Sequence, residues 1–164
     1  HTNGYSLARK ILFEKMKLKP SSKLPGLGIK VSDELLKVHV SYGPVVQKLL
    51  KKFNKGSRRT WSIKGLAHIT GGGFIDNIPR VLPENCSAVI LRDTWEVLPI
   101  FDLLKAKGKV AESEMHQVFN MGIGMVAFVR EKDSKSTLRM IRANKLKAWD
   151  IGFVDTGNRK VQLA

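Results

Sequence analysis

A single cysteine, Cys86, stands among the 164 residues. One thiol cannot build an internal disulfide framework, and no cysteine cluster is available for zinc. The chain therefore fits a reducing, cytoplasmic setting better than a stapled secreted scaffold. Long apolar runs are also missing, and a helix crossing a bilayer needs about 20 such residues. Histidines number four. No two of them have metal-ligand spacing, and no nucleophile elbow or catalytic triad signature is present. Gly26-Leu27-Gly28 lacks the preceding strand and the third glycine of a dinucleotide fingerprint. The chain opens on His1 and passes at once into a polar turn and an amphipathic pattern, as a segment of a larger protein would.

Acidic residues are scarce: 14 Asp and Glu against 29 Lys and Arg leave a net charge of +15. Residues 1–60 carry 14 basic and 3 acidic side chains, and the remainder 15 and 11, so the excess lies in the first third. A field of this sign attracts phosphates, nucleotides or nucleic acid. For scattered lysines a solvated surface is the better reading, and no known nucleic-acid-binding motif is found. The basic run Lys51, Lys52, Lys55, Arg58, Arg59 reads as a solvated helix end. An apolar fraction of 43% suits one globular domain over residues 1–164.

Hydrophobic spacing predicts a helix over about residues 5–17, where Leu7, Ile11, Leu12 and Met16 recur at helical period. A loop rich in Pro, Ser and Gly covers 18–30, and Ser32 and Asp33 are cap candidates for a short turn through Leu36. Further helices are expected around Val45–Leu50, over Leu98–Lys107 with Gly108 as the stop, over Glu112–Phe119 and over Ser134–Lys145. Strands are expected at Trp61–Ile69, Ala88–Leu91, Trp149–Val154 and Lys160–Leu163, and at Ile123–Val129, the last buried on both faces. This order implies an α+β fold, a layered α/β/α domain with a mixed, mostly antiparallel sheet and partly ferredoxin-like.

Three stretches carry candidate chemistry. The first is Asn3-Gly4-Tyr5-Ser6 ahead of a helix, either an anion-binding terminus or a cap. In the second, the strand ending at Ile69, with His68 near its end, runs into Thr70 and the triplet Gly71-Gly72-Gly73. Without Cβ atoms, backbone amides there can approach an anion closely, with Thr70 adding a hydroxyl, Asn77 a polar contact and Arg80 a phosphate partner. A tight turn with backbone packed on backbone explains the same glycines equally well. The third is Asn120 with Gly122 and Gly124, where a bend is the stronger local reading and a ligand approach the alternative. Among the histidines, His68 is the plausible ligand contact, His1 sits in a polar turn, and His39 and His116 fall on amphipathic elements as surface residues.

Taken together, HTNGYSLARKI, GLAHITGGGFIDNIPRVLP and EMHQVFNMGIGMVAFV, in this order and separation, resemble the C-terminal half of phosphoribosylformylglycinamidine cyclo-ligase, also called aminoimidazole ribonucleotide synthetase. The resemblance implies ATP-dependent closure of the imidazole ring in purine biosynthesis. It also implies a homodimer of two-domain subunits, with ATP and magnesium bound mainly by an N-terminal half that this chain does not include. It implies a ribonucleotide substrate contacted by Asn3, Gly4, Tyr5, Ser6, His68, Thr70, Gly71, Gly72, Gly73, Asn120, Gly122 and Gly124. No membrane partner is implied, and a basic nucleic-acid-binding module is the weaker alternative. Related ATP-dependent enzymes (the amidotransferase one step earlier, and selenophosphate, thiamine-phosphate or hydrogenase-maturation proteins) fit the TGGGFIDNIPRVLP text less well. One departure stands out: the family's Pro-Thr-Arg-Ile-Tyr-like segment reads Val38-His39-Val40-Ser41-Tyr42, with Val40 at the arginine position.

Overall fold

A computed structural model describes residues 3–164, so the reading of His1 lies outside the described residues. In chain order the elements are α1 (Tyr5–Arg9), a π-helical turn (Lys10–Lys15), α2 (Val31–Leu35), α3 (Gly43–Phe53), β1 (Ile63–His68), α4 (Gly73–Asn77), β2 (Cys86–Ile90), α5 (Pro99–Gly108), α6 (Glu112–Val118), β3 (Met125–Val129), α7 (Ser134–Ala143), β4 (Gly152–Thr156) and β5 (Val161–Leu163). This is the expected α+β content. Residue contacts group into two compact units, each assembled from three separate stretches of chain.

The first unit comprises the described part of His1–Val40 with Ile69–Asp76 and Glu96–Gly124. Its regular structure is helical, and Leu12, Leu24, Val31, Phe74 and Met115 are fully buried in it. The loop after the π turn is held by its own backbone: Leu24 N–H donates to Ile29 O at 2.8 Å and Val31 N–H to Ser22 O at 2.9 Å. These bonds place Leu24 in the core. Ser32 and Asp33 do not cap α2; Lys30 occupies the cap position and the two polar residues lie in the first turn. Gly108 is not the left-handed stop of α5 but its last residue, and Lys109 takes the left-handed conformation at φ 55°. A Cβ at 108 would lie 2.6 Å from Ile11 Cδ1 and 2.7 Å from Val110 Cγ2, so a larger residue there would have to displace those side chains.

The second unit comprises Ser41–His68, Asn77–Trp95 and Met125–Ala164, and it holds all five strands with α3 and α7. β1 pairs antiparallel with β3, from Ile63 opposite Val129 to His68 opposite Met125. β2 is the centre of a second sheet, antiparallel to β4 and parallel to β5. Two of these three pairings are antiparallel, which matches the expected bias of the strands. β3 is not buried on both faces, because within it only Val126 is buried. The apolar run that suggested a buried strand is instead split, with Met121 and Ile123 buried before the strand begins.

Candidate functional site

The three sequence stretches meet in the first unit, around Val118-Phe119-Asn120 at the end of α6. The Asn3 side-chain amide donates to Val118 O at 3.3 Å. Gly4, with φ 77°, lies so close to the Phe119 ring that a Cβ would stand 2.3 Å from it. Gly4 is the residue before α1 and carries no side-chain cap, so its role is close approach combined with a left-handed turn. Gly73 packs backbone on backbone, since its Cβ would fall 1.9 Å from His116 O and 3.0 Å from Phe119 O. The start of the glycine turn is tied to the third stretch by Ile69 N–H donating to Gly124 O at 2.9 Å.

The three consecutive glycines have different reasons to be glycine. Gly73, at φ 56°, is required by packing. Gly72, at φ 95°, is required by backbone conformation, and a Cβ would also meet the Asp76 side chain at 2.5 Å. Gly71 is exposed, has no positive φ, and nothing lies within 4 Å of where its Cβ would be. Gly73 N–H donates to Thr70 O at 3.0 Å and Asp76 N–H to Gly72 O at 3.1 Å, which folds the run into the start of α4. Of the two readings left open by the sequence, the tight turn holds for Gly73, whereas at Gly71 the fold does not itself require a glycine.

Asn120 is buried, and its carboxamide oxygen accepts from Gly122 N–H at 2.9 Å. Met121 and Gly122 follow in left-handed conformations, φ 50° and 95°, and Ile123 N–H closes the turn onto Asn120 O at 2.9 Å. The bend expected here is present, and Asn120 spends its oxygen on it. Tyr5 donates its hydroxyl to Leu35 O, and burial with the nearby Glu34 carboxylate raises its phenol above the usual value. Ser6 is exposed.

His68 belongs to the second unit, where it is exposed and its ring meets Tyr42 edge-on at 6.1 Å. Burial raises the Tyr42 phenol above its usual value. Asn77 and Arg80 also belong to the second unit, Asn77 buried and Arg80 exposed. His116, expected at the surface, is 3% exposed. Its ring lies against Phe74 at 6.3 Å, its Nδ1 is 3.0 Å from Glu112 O, and its carbonyl supports Gly73. Sequence reasoning missed it because its neighbours Glu112, Glu114 and Gln117 are polar. The i, i+3 relation of His116 to Phe119 was the available signal. In the departing segment, Val38 is 94% exposed.

The convergence of these stretches is the setting in which known proteins become informative. Residues 1–163 match the family described as AIR synthase related protein, C-terminal domain. The chain belongs to that family. It is 45% identical over 166 residues to the phosphoribosylformylglycinamidine cyclo-ligase of Citrifermentans bemidjiense, covering 99% of this chain and 45% of that protein. Proteins of the same name from Syntrophotalea carbinolica and Geobacillus thermodenitrificans are each 43% identical, over 94% and 96% of this chain and 42% and 43% of their own lengths. The chain therefore spans under half the length of the relatives it matches.

Proposed function

We propose that this chain is the substrate-binding half of a phosphoribosylformylglycinamidine cyclo-ligase. In that reaction ATP activates the formyl amide oxygen of formylglycinamidine ribonucleotide. An internal nitrogen then closes the imidazole ring, giving aminoimidazole ribonucleotide, ADP and phosphate. The observation that carries the reading is the meeting of Asn3–Tyr5, Thr70–Gly73 and Asn120–Gly124 around Phe119, in a chain 45% identical to a protein of that name. Nothing lies within 4 Å of where a Gly71 Cβ would be, which leaves room there for a ligand such as the substrate phosphate, and among the described residues the Gly72 N–H meets no carbonyl. Tyr5, Ser6, Thr70 and Asn120 are the polar members of the proposed set in the first unit, and His68 is its one member in the second.

ATP and magnesium belong, in this proposal, to the other half of a homodimeric, cytoplasmic enzyme. Among the described residues no three His, Cys, Asp or Glu side chains gather as a group that could hold a metal ion. ATP would supply the activating phosphoryl group, and this chain's residues would bind and orient the ribonucleotide.

Gly71→Val tests the proposal, because a side chain there meets nothing in the fold. The variant is expected to keep its thermal midpoint and lose tenfold to a hundredfold in affinity for the ribonucleotide, about 1.5–3 kcal/mol for a charge-assisted hydrogen bond. Unchanged affinity, measured by calorimetry in an enzyme carrying both halves, would remove the glycine turn from the site.

A further inference from the structure

The second unit carries 18 Lys and Arg against 6 Asp and Glu, whereas the first carries 11 against 8. Nearly all of the net charge is thus on the unit that holds almost none of the proposed substrate contacts. Within it, residues 41–68 contain seven basic side chains and no acidic one. On α3, Lys48, Lys51 and Lys52 are exposed, and Lys55 is exposed two residues beyond its end. From Lys48 to Lys52 the helix rises about 6 Å at 1.5 Å per residue, and Lys55 carries the charge on into the loop.

The loop after α3 adds to this charge and is well ordered by its own bonds. Thr60 Oγ1 donates to Ser57 O at 2.8 Å, Thr60 N–H to the same oxygen at 3.0 Å, and Trp61 Nε1 to Gly56 O at 3.3 Å. Two further cations converge on one carbonyl of this loop: Lys64 Nζ and the Arg130 guanidinium both donate to Arg59 O. The Arg58 guanidinium lies 5.8 Å from the centre of the Trp61 ring. None of the named lysines and arginines has a carboxylate partner among the described residues, whereas Lys37–Glu34 and Lys105–Glu112 are ion pairs of the first unit.

We propose that α3 and the Gly56–Trp61 loop form a binding surface for single-stranded nucleic acid, read through its phosphates without sequence preference. One phosphate cannot answer cations distributed over this length, but a phosphate polymer can, and it gains by releasing its counterions. The Arg58–Trp61 pair selects nucleic acid among polyanions, because a flat cation and an indole offer stacking to a base and nothing comparable to a polyglutamate or polyphosphate. The surface is separate in its residues from the proposed substrate site, so the inference does not depend on the ring-closing reaction.

The test is fluorescence anisotropy of a labelled 20-nucleotide oligouridine with the full chain, at 50 and 200 mM KCl. Binding is expected at the lower salt and a steep loss at the higher. The variant Lys51→Gln/Lys55→Gln/Arg58→Gln/Arg59→Gln should bind at least tenfold more weakly. Its salt dependence should be shallower by roughly 3 units of slope, at about 0.7 per phosphate contact for a single strand. Trp61→Leu should weaken oligouridine binding severalfold and leave inorganic polyphosphate binding unchanged. A circular-dichroism melt matching the parent checks that each variant is folded. Absence of oligouridine binding at 50 mM KCl, equal binding by folded parent and quadruple variant, or competition by polyglutamate as strong as by RNA would each overturn the proposal.

Discussion

The two units divide the molecule's properties unequally. The first is helical, nearly balanced in charge, and holds eleven of the twelve residues proposed for substrate binding. The second holds every strand, most of the positive charge and His68. Close backbone approach occurs in both units, as at Gly73 and Gly152, but the strong positive field belongs to the second. Specific recognition of a small ligand depends on fixed short-range contacts, whereas attraction of polyanions depends on summed charge and falls with salt. A net charge quoted for the whole chain conceals this division.

The sharpest way to break the comparison uses one glycine from each unit. Gly73 and Gly152 both have positive φ, and a Cβ on either would fall 1.9 Å from a backbone oxygen, of His116 and of Val89 respectively. Either alanine variant should lose about 3 kcal/mol of stability in denaturant unfolding, from left-handed strain together with a collision that backbone cannot relieve cheaply. Hydrogen exchange should place the loosened amides in α6 for Gly73→Ala and in β2 and β4 for Gly152→Ala. A variant that melts like the parent would show that its glycine is not held by that contact.

A smaller effect separates the units by their tyrosines, since Tyr5 and Tyr42 are the only two in the chain and each unit has one. Both phenols are raised from 10.0, Tyr5 by burial and then by Glu34, Tyr42 by burial alone. A raised pKa in the folded state means that the unfolded chain loses the proton first. The stability each tyrosine contributes is therefore complete below pH 10 and declines as pH rises through the folded value. Ultraviolet titration of Tyr5→Phe and Tyr42→Phe should show the remaining phenol ionising above 10 in each. In Glu34→Gln, the Tyr5 value should move down and the Tyr42 value stay. Movement of neither would remove the carboxylate from the account of Tyr5.

The local pattern of the sequence was a good guide to elements and a poor guide to neighbours. The apolar spacing of Val45, Leu49 and their neighbours located α3, and the glycines marked the strand end after His68. The meeting of Asn3 with Val118 spans 115 positions, and no periodicity within either segment encodes it. His116 was misread because a helix with three polar neighbours gives no sign that its buried side will receive the glycine turn. The charge divides differently in space for a related reason. Counting along the chain finds the excess in residues 1–60, while in space Ser41–His68 joins Met125–Ala164, adding the basic side chains of α7 and of the loops and turns around it. The resemblance to the cyclo-ligase family survived these local errors because it rests on the order of three long motifs.

The interleaving of the two units constrains how their roles can be separated genetically. The chain passes from one to the other five times, at 40/41, 68/69, 76/77, 95/96 and 124/125. No single stop codon or start site releases either unit intact, and every terminal deletion longer than the outermost stretch damages both. Deletion mapping would therefore assign both activities to whichever end was removed first. Point substitutions, or a circularly permuted gene with added joints, are the routes by which the two roles can be inherited apart.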